Sequence, residues 1–347
     1  MIVKKVFRAL FILILFAVFI VFSINAYIVY CRIYKPNVRA TPDGRVVYFP
    51  TGTTYNEALM ILDTARVFVS FQSFKWIADR TGFASHVHPG RYVFKQNMSN
   101  KEVLTMLKLG RQKPVRFVIH NIRDVQHLCS LAGRKLEIDS SDIADLLFNE
   151  QFIQKYGFNQ YTLISAFIPN TYELWWTTTA DKFFDRMYIE YRKFWNNDRL
   201  AKAKKMNLTP AEVSTLASIV EQETLQPEEL PVIAGVYINR LKRRIKLQAD
   251  PTIRYLVSDT IRRVLNRHLT IPSPYNTYVN YGLPPGPISC PSIKALDAVL
   301  DYQRHDYLYF CADENLSGRH NFSRTLSQHE QYARKYRQAL NKKRIWR

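Results

Sequence analysis

Two glutamates, Glu221 and Glu223, end a short segment that carries the local signals of a helix. Thr209 is a good N-cap, Pro210 suits the first helical position, and Glu212 is placed to complete a capping box. A carboxyl group beside apolar walls has its charged form disfavoured and its pKa raised, which is what a general acid near neutral pH requires. The segment therefore predicts a capped helix that presents a candidate proton donor.

Helical periodicity separates the two carboxylates. Placed at about 100° per residue, five apolar residues form a wide arc on this helix: Val213, Leu216, Ala217, Ile219 and Val220. Glu221 falls beside the arc, whereas Glu223 points about 200° away from Glu221. The two carboxylates should therefore not share one reacting centre while the helix stays regular. Both could instead be surface glutamates at a helix end, and the pattern alone does not choose between them.

A second candidate region begins at Gln248 and Asp250. Asp250 precedes Pro251, a pair that is typical of a helix start in which the aspartate is only the N-cap. A role in substrate binding is the alternative, and the sequence leaves both open. Gln248 has no evident structural role, which makes it a candidate for substrate binding.

A third candidate region is a stiff loop rich in proline, aromatic and amide side chains. Flat apolar sugar faces are bound by aromatic rings, and hydroxyl and N-acetyl groups are bound by amides. The alternative is a buried turn. The candidate binding residues of this loop are Tyr275, Asn276 and Tyr278.

Composition limits the classes of function. The 347 residues include 49 Lys+Arg and 29 Asp+Glu, a formal charge of +20 that favours polyanionic partners such as nucleic acid, anionic lipid or an acidic polymer. No DNA- or RNA-binding motif is recognised, so nucleic acid is not expected as a partner. Four cysteines without a C-x-x-C pair predict neither a disulfide scaffold nor a metal cluster, although a Cys129–Cys290 or Cys290–Cys311 bridge stays open.

An uncharged apolar run occupies Ala9 to Tyr30. Its 22 residues are long enough to span a hydrocarbon core of about 30 Å. The run exceeds the apolar region of a signal peptide and no A-x-A site follows it, so we expect an uncleaved transmembrane helix over 9–30. Basic residues flank both ends, and the flanking charges barely discriminate the orientation.

The remaining chain predicts an α+β protein with two folded parts. A polar connector over 31–44 leads to a first unit over 45–112, which reads as strand, helix, helix, strand and helix. A larger, mainly helical α+β unit follows over 113–347. Within it we expect a helix from Ser140 to about Tyr156 and a long one over Ala180–Lys205.

Seven segments, in order over 115 residues (216–330), resemble the signature blocks of the endolytic murein transglycosylases, the YceG-like family. They are LASIVEQET (216–224), VYINRL (236–241), LQADPT (247–252), PYNTY (274–278), GLPPGPI (282–288), YLYF (307–310) and HNFSRTLSQHE (320–330). Upstream, IPNTYEL (168–174) is similar to the block before the family's catalytic helix. Residues 45–112 resemble its small, membrane-proximal LysM-like α/β subdomain.

The resemblance implies a topology and a localisation. Residues 1–8 would be a cytoplasmic tail and 9–30 a single-pass helix in the bacterial inner membrane. The LysM-like subdomain and the catalytic domain (113–347) would then be periplasmic. The expected partners are peptidoglycan glycan strands, the inner membrane and peptidoglycan synthases.

The resemblance also implies an activity. The family's enzymes are lyases that cut the β-1,4 bond between N-acetylmuramic acid and N-acetylglucosamine and leave a 1,6-anhydro end, without a metal or other cofactor. The family's catalytic glutamate corresponds to Glu221. The expected substrate-binding residues are Gln248, Asp250, Tyr275, Asn276, Tyr278 and Glu223.

Two other functions are compatible with the sequence. One is a hydrolytic muramidase that uses Asp250 or Glu173 as its second carboxylate, since ordinary glycosidases need two. The other is a non-catalytic peptidoglycan-binding scaffold in which the LysM-like unit provides the function. The lyase needs a single acid because the attacking hydroxyl belongs to the sugar itself.

Overall fold

The computed structural model describes residues 2–257 and 264–343, and shows a mixed α+β protein that is mostly helical. Arg344 and Arg347 of the basic C-terminus lie outside the described residues. The helices are α1 Ile2–Tyr34, α2 Tyr55–Thr64, α3 Phe71–Ala78, α4 Asn100–Lys108, α5 Val125–Lys135, α6 Ser140–Leu147, α7 Glu150–Gln154, α8 Ala180–Phe194, α9 Asn197–Lys205, α10 Pro210–Glu223, α11 Leu230–Lys242, α12 Asp250–Val257, α13 Ile293–Leu300 and α14 Leu326–Lys342.

The strands are short and form two-stranded sheets. They are β1 Arg45–Phe49, β2 Gly90–Phe94, β3 Val115–Ile119, β4 Asn170–Leu174, β5 Tyr309–Ala312 and β6 His320–Ser323. The pairs are β1 with β2, β3 with β4, and β5 with β6. The chain separates into two compact units, one made of the residues up to Val115 with Glu173–Thr178, and the other of Arg116–Tyr172 with Thr179 onward.

The N-terminal helix α1 is longer than the predicted span of 9–30. The most apolar 18-residue window of its stretch Lys4–Tyr34 has a mean hydropathy of 2.8 and is not buried, so the helix fits a single-pass membrane anchor by length and composition. The predicted connector over 31–44 is partly helical and hydrogen-bonded to the first unit. It begins as helix, and the buried amide of Asn100 donates to the carbonyl of Arg32 (2.8 Å).

The first unit has the predicted order of strand, helix, helix, strand and helix. β1 and β2 pair antiparallel, with Val47 opposite Tyr92, and place fully buried aromatic rings against α2, α3 and α4. Capping boxes at Thr54 and Ser99 begin α2 and α4. These local capping signals explain why α2 and α4 begin where they do.

The second unit is built around α10. The predicted apolar arc is confirmed, because all five of its members are completely buried. Ser214, Thr215 and Ser218 are buried as well, and their hydroxyls donate to carbonyls of the same helix. α10 packs on α11 and α13, so the helix that carries both glutamates forms the centre of this unit's core.

Two predicted long helices are each wrong in length, because each is divided in two. The first stops at Leu147, and Asn149 then caps α7 by accepting from the Phe152 amide. The second stops at Phe194, and Asn196 caps α9 by accepting from the Arg199 amide. An asparagine in a continuous helical pattern is itself a start signal, since its side chain competes for backbone amides.

The cysteines show neither of the bridges that the sequence left open. All four are free thiols, and Cys129 and Cys290 are buried. The Cys290 thiol donates to the carbonyl of Phe167.

Candidate active site

The helix α10 begins with a complete capping box. The Thr209 hydroxyl accepts from the Glu212 amide (3.2 Å), and the Glu212 carboxylate accepts from the Thr209 amide (2.7 Å). These bonds satisfy amides that the first turn of a helix leaves without partners. The sequence prediction for this helix start is therefore confirmed, and α10 ends at Glu223 as expected.

Thr209→Ala should lower the free energy of unfolding by about 1 kcal/mol, because it removes the side-chain half of this cap. Thr179→Ala is the matched control, since Thr179 is also an exposed threonine N-cap but makes no side-chain capping bond. Denaturant unfolding of both variants measures the difference. Equal losses would show that the Thr209 box contributes nothing beyond helix propensity.

Glu221 is held by the loop that precedes α13. The backbone amide of Ser292, the N-cap of α13, donates to both carboxylate oxygens of Glu221 (3.2 and 3.0 Å). Two further bonds join the same loop to α10: the backbone amide of Ile288 donates to the Ser218 hydroxyl (3.0 Å), and the side-chain amide of Gln222 donates to the Ser289 hydroxyl (3.2 Å). The Glu221 carboxylate is thus fixed in one orientation.

The Glu221 side chain borders a polar cleft of about 420 Å³. This volume lies within the range of small-molecule sites. The other lining residues are His120, Asn121, Pro169, Gln222, Glu223, Thr224, Leu225, Arg254, Ser289, Cys290 and Ser292. Glu221 therefore faces a cavity wide enough to admit part of a polymer.

Glu223 also borders this cleft, on the last turn of the regular helix α10. The chain leaves the helix at Thr224, the extended C-cap of α10. The two carboxylates have different partners, because the hydroxyl of the buried Tyr237 on α11 donates to Glu223. Burial raises the pKa of Glu223 to about 7, and the charge of Asp250 adds to this, while the Tyr237 hydrogen bond opposes it.

The raised pKa of Glu223 predicts a pH dependence of stability. Between about pH 4.5 and 7 the folded protein binds more protons at Glu223 than the unfolded chain, so the free energy of unfolding should fall as pH rises through this range. Glu223→Gln should remove roughly 1–3 kcal/mol of that fall. Denaturant unfolding at pH 5 and pH 7 compares the wild type, this variant and the exposed control Glu228→Gln. An unchanged pH dependence in Glu223→Gln would contradict the assignment.

Four of the predicted binding residues line a second cavity. Gln248, Asp250 and Tyr278 border a space of about 360 Å³ together with Glu223. The Tyr278 hydroxyl donates to the Asp250 carboxylate (2.5 Å), and burial is the main cause that raises the pKa of Tyr278. α12 begins at Asp250 itself, so the aspartate is in the first turn and its carboxylate faces the cavity.

Tyr275 and Asn276 line neither of these cavities. Asn276 is fully buried, and its amide donates to the carbonyls of Leu269 and Ile271. Tyr275 is buried and packs against the ring of Tyr255. These two residues form a buried turn, the alternative that the sequence allowed. Asn276 there satisfies backbone carbonyls of its own loop.

Several cleft residues were missed by sequence reasoning. Ser292 was detectable in principle, since a Pro-Ser pair before an apolar run is a helix-start signal. His120 and Asn121 follow β3, and Arg254 is one helical turn after Asp250, but nothing local marks them as cleft residues. Among the described residues, no group of three or more His, Cys, Asp or Glu side chains could hold a metal ion.

Fold and site together define an α+β protein in which a buried helix presents a glutamate to a polar cleft. The sequence profile of the YceG-like family matches residues 47–335. The chain belongs to the YceG-like family, which confirms the resemblance seen in its sequence blocks.

The chain is also similar to curated relatives, and a solved structure has a similar fold. The chain is 27% identical over 312 residues to the endolytic murein transglycosylase of Bacillus subtilis (strain 168), covering 86% of each chain. It is 27% identical over 298 residues to that of Streptococcus pneumoniae serotype 2 (strain D39 / NCTC 7466), covering 77% of this chain and 54%, about half, of the relative. A yceG-like protein from Listeria monocytogenes has a similar fold, with a TM-score of 0.56 at 23% identity over 84% of this chain and 99% of that one.

Proposed function

We propose that this protein is an endolytic murein transglycosylase, a lyase that cuts the glycan strands of bacterial peptidoglycan. The observation that carries the proposal is the Glu221 carboxylate, which Ser292 orients at the wall of a polar cleft. Family membership and the names of the relatives support it. The bond cleaved is the β-1,4 bond between N-acetylmuramic acid and N-acetylglucosamine.

Glu221 serves in both proton transfers of the proposed reaction. Its carboxyl proton passes to the glycosidic oxygen as the bond from that oxygen to C1 of the muramic acid breaks. The resulting carboxylate takes the proton of the 6-hydroxyl of the same sugar, and that oxygen bonds to C1. The products are a 1,6-anhydro end and a free 4-hydroxyl. No water is consumed, because the nucleophile belongs to the substrate.

The second cavity extends the binding surface beyond Glu221. Gln248, Asp250 and Tyr278 offer amide, carboxylate and phenol groups next to Glu223, and we assign them to substrate binding. Tyr275 and Asn276 contribute by holding the loop that supplies Tyr278, since the Asn276 side-chain oxygen accepts from the Tyr278 amide (2.9 Å).

The proposed topology follows from the apolar helix. α1 would cross the inner membrane once, with the N-terminus cytoplasmic and both folded units periplasmic. Residues 45–112 would form a LysM-like, strand-binding subdomain. An enzyme tethered in this way meets nascent strands as they leave the membrane, so we infer a role in ending strand elongation beside peptidoglycan synthases. Protease accessibility in spheroplasts tests the topology: protection of the folded units would contradict it.

The deciding experiment digests uncrosslinked glycan strands with the full chain in detergent and analyses the products by mass spectrometry. We expect 1,6-anhydro ends within the strands. Ordinary reducing ends would instead favour a hydrolytic muramidase. Such enzymes use two carboxylates, and this cleft is lined by two glutamates. Binding of strands without any cleavage would favour a non-catalytic scaffold.

A further inference from the structure

A buried cation in the second cavity has no acidic partner. Arg240 of α11 is 7% exposed, and its terminal nitrogens donate to two neutral oxygens, the Leu247 carbonyl (3.2 Å) and the Gln248 side chain (2.7 Å). Its Nε has no hydrogen-bond partner among the described residues. None of the ion pairs in the described part of the chain includes it.

The surroundings of Arg240 hold the guanidinium in place. It lies over the Tyr309 ring, 5.4 Å from the ring centre, and the His329 ring stacks on the same tyrosine. The buried Nδ1 of His329 also lacks a hydrogen-bond partner among the residues described. Burial lowers the pKa of His329 and the charge of Arg240 lowers it further, so this imidazole is neutral and does not compete with Arg240 for an anion.

Gln248 adds a sign of strain at the same place. Its φ of 50° lies in the left-handed region, which a residue with a side chain adopts at a cost. The strained backbone is bonded to the Thr277 carbonyl (3.1 Å), and the side chain reaches Arg240. Gln248 thus offers a neutral acceptor to a guanidinium that a buried carboxylate would satisfy better.

The cavity also carries acidic groups, so it has both signs of charge. Asp250 and Glu223 border it, each bonded to a tyrosine hydroxyl and neither paired with Arg240. A simple inorganic anion would meet these two acids, and a neutral sugar would leave Arg240 without a counter-charge. A peptide segment fits better, because it offers a carboxylate to Arg240 and N–H or ammonium donors to the acids.

We propose that the second cavity is a subsite for the peptide that murein carries on its muramic acid residues, with a peptide carboxylate bound by Arg240. The proposal rests on the proposed function. Glu223 lines both cavities, so a peptide in the second one belongs to a muramic acid residue that lies beside Glu221. The space of about 360 Å³ suits a short peptide segment. The site therefore selects strands that still carry their peptides.

The test compares two substrates: uncrosslinked glycan strands that carry their peptides, and the same strands stripped of peptides by an amidase. The full chain in detergent should bind and cleave the peptide-bearing strands about ten- to a hundredfold better, the range expected for a hydrogen-bonded charge pair. Arg240→Gln should lose this preference and keep its activity on stripped strands. Arg243→Gln, which removes an exposed positive charge near the end of the same helix, is the matched control and should keep the preference.

Several outcomes would overturn the subsite. Equal treatment of both substrates by the wild type would do so, as would an equal loss on both substrates in a folded Arg240→Gln. If that variant does not fold, His329→Leu on α14 replaces it. We expect this variant to lose part of the preference for peptide-bearing strands. An unchanged preference would count against the site. Binding is measured separately from cleavage. Preferential binding without cleavage contradicts only the proposed enzymatic function, whereas cleavage without preference contradicts only the subsite.

Discussion

Glu221→Gln should reduce strand cleavage by roughly 10²–10⁴-fold, the contribution typical of a positioned general acid and base. Glutamine has nearly the same shape, and its side-chain oxygen can still accept from the Ser292 amide. The substitution removes the group that gives and takes the proton, together with its charge and one of the two oxygens that accept from Ser292. The expected result is therefore a folded protein that binds strands but releases few 1,6-anhydro ends, measured by mass spectrometry over time.

Two matched variants make this result specific. Glu228→Gln changes an exposed glutamate of the following segment and should keep full activity. Glu223→Gln should reduce activity by less than about tenfold, since we assign it to substrate binding and its carboxylate is occupied by Tyr237. Loss of cleavage in Glu223→Gln but not in Glu221→Gln would reverse the assignment. Burial raises the pKa of Glu223 to about 7, so this carboxyl is partly protonated near neutral pH, as a general acid must be. The comparison therefore tests Glu221 against a second possible proton donor.

Gly286→Ala should destabilise the protein by about 3 kcal/mol or more, at or above the upper end of ordinary overpacking. A methyl group on Gly286 would overlap the carbonyl oxygen of Tyr161 and lie 2.6 Å from its carbonyl carbon. Both are backbone atoms, so no side-chain rotation relieves the clash, and one of two loops must move. Thermal unfolding should show a fall in melting temperature of roughly 5–10 °C.

The same substitution should also affect the candidate active site. Gly286 lies in the loop that donates to Ser218 and Glu221 through Ile288 and Ser292, so a shift of this loop disturbs the carboxylate. Activity should therefore fall even at temperatures where the variant is folded. Pro285→Ala, at the partly exposed neighbour, is the control and should cost less than about 1 kcal/mol. A Gly286→Ala protein as stable and active as this control would show that the two loops are free to separate.

Local rules account for most of the elements that were predicted correctly. The start of α10 depends on Thr209, Pro210 and Glu212, which are neighbours in sequence. The buried arc of α10 follows from a repeat within four turns. Local rules also explain the errors, because Asn149 and Asn196 each begin a new helix inside a pattern that otherwise reads as continuous. A single capping side chain outweighs the periodicity there.

The candidate site could not be predicted from local rules alone, and it required the family resemblance and the tertiary structure. Periodicity could not rank Glu221 above Glu223, and the preference for Glu221 came from the resemblance of seven ordered blocks to the YceG-like family. The fold then added partners that are distant in sequence: Ser292 for Glu221, and Tyr237 for Glu223. It also assigned Asn276 to a buried turn and Asp250 to a cavity wall, two roles between which the residue types alone did not decide.

The sequence by itself determined the apolar N-terminal helix, the order of elements in the first unit, the capped helix that carries both glutamates and the family. These features follow from hydrophobic runs, caps and spacings within a few turns of chain. Only the tertiary structure decided which groups surround each carboxylate, and it left Arg240 buried without an acidic partner. The physical reason is that pKa values, hydrogen-bond partners and cavities arise between segments that are distant in sequence, such as His120 and Ser292 of the first cavity, where packing, not local propensity, sets the distances.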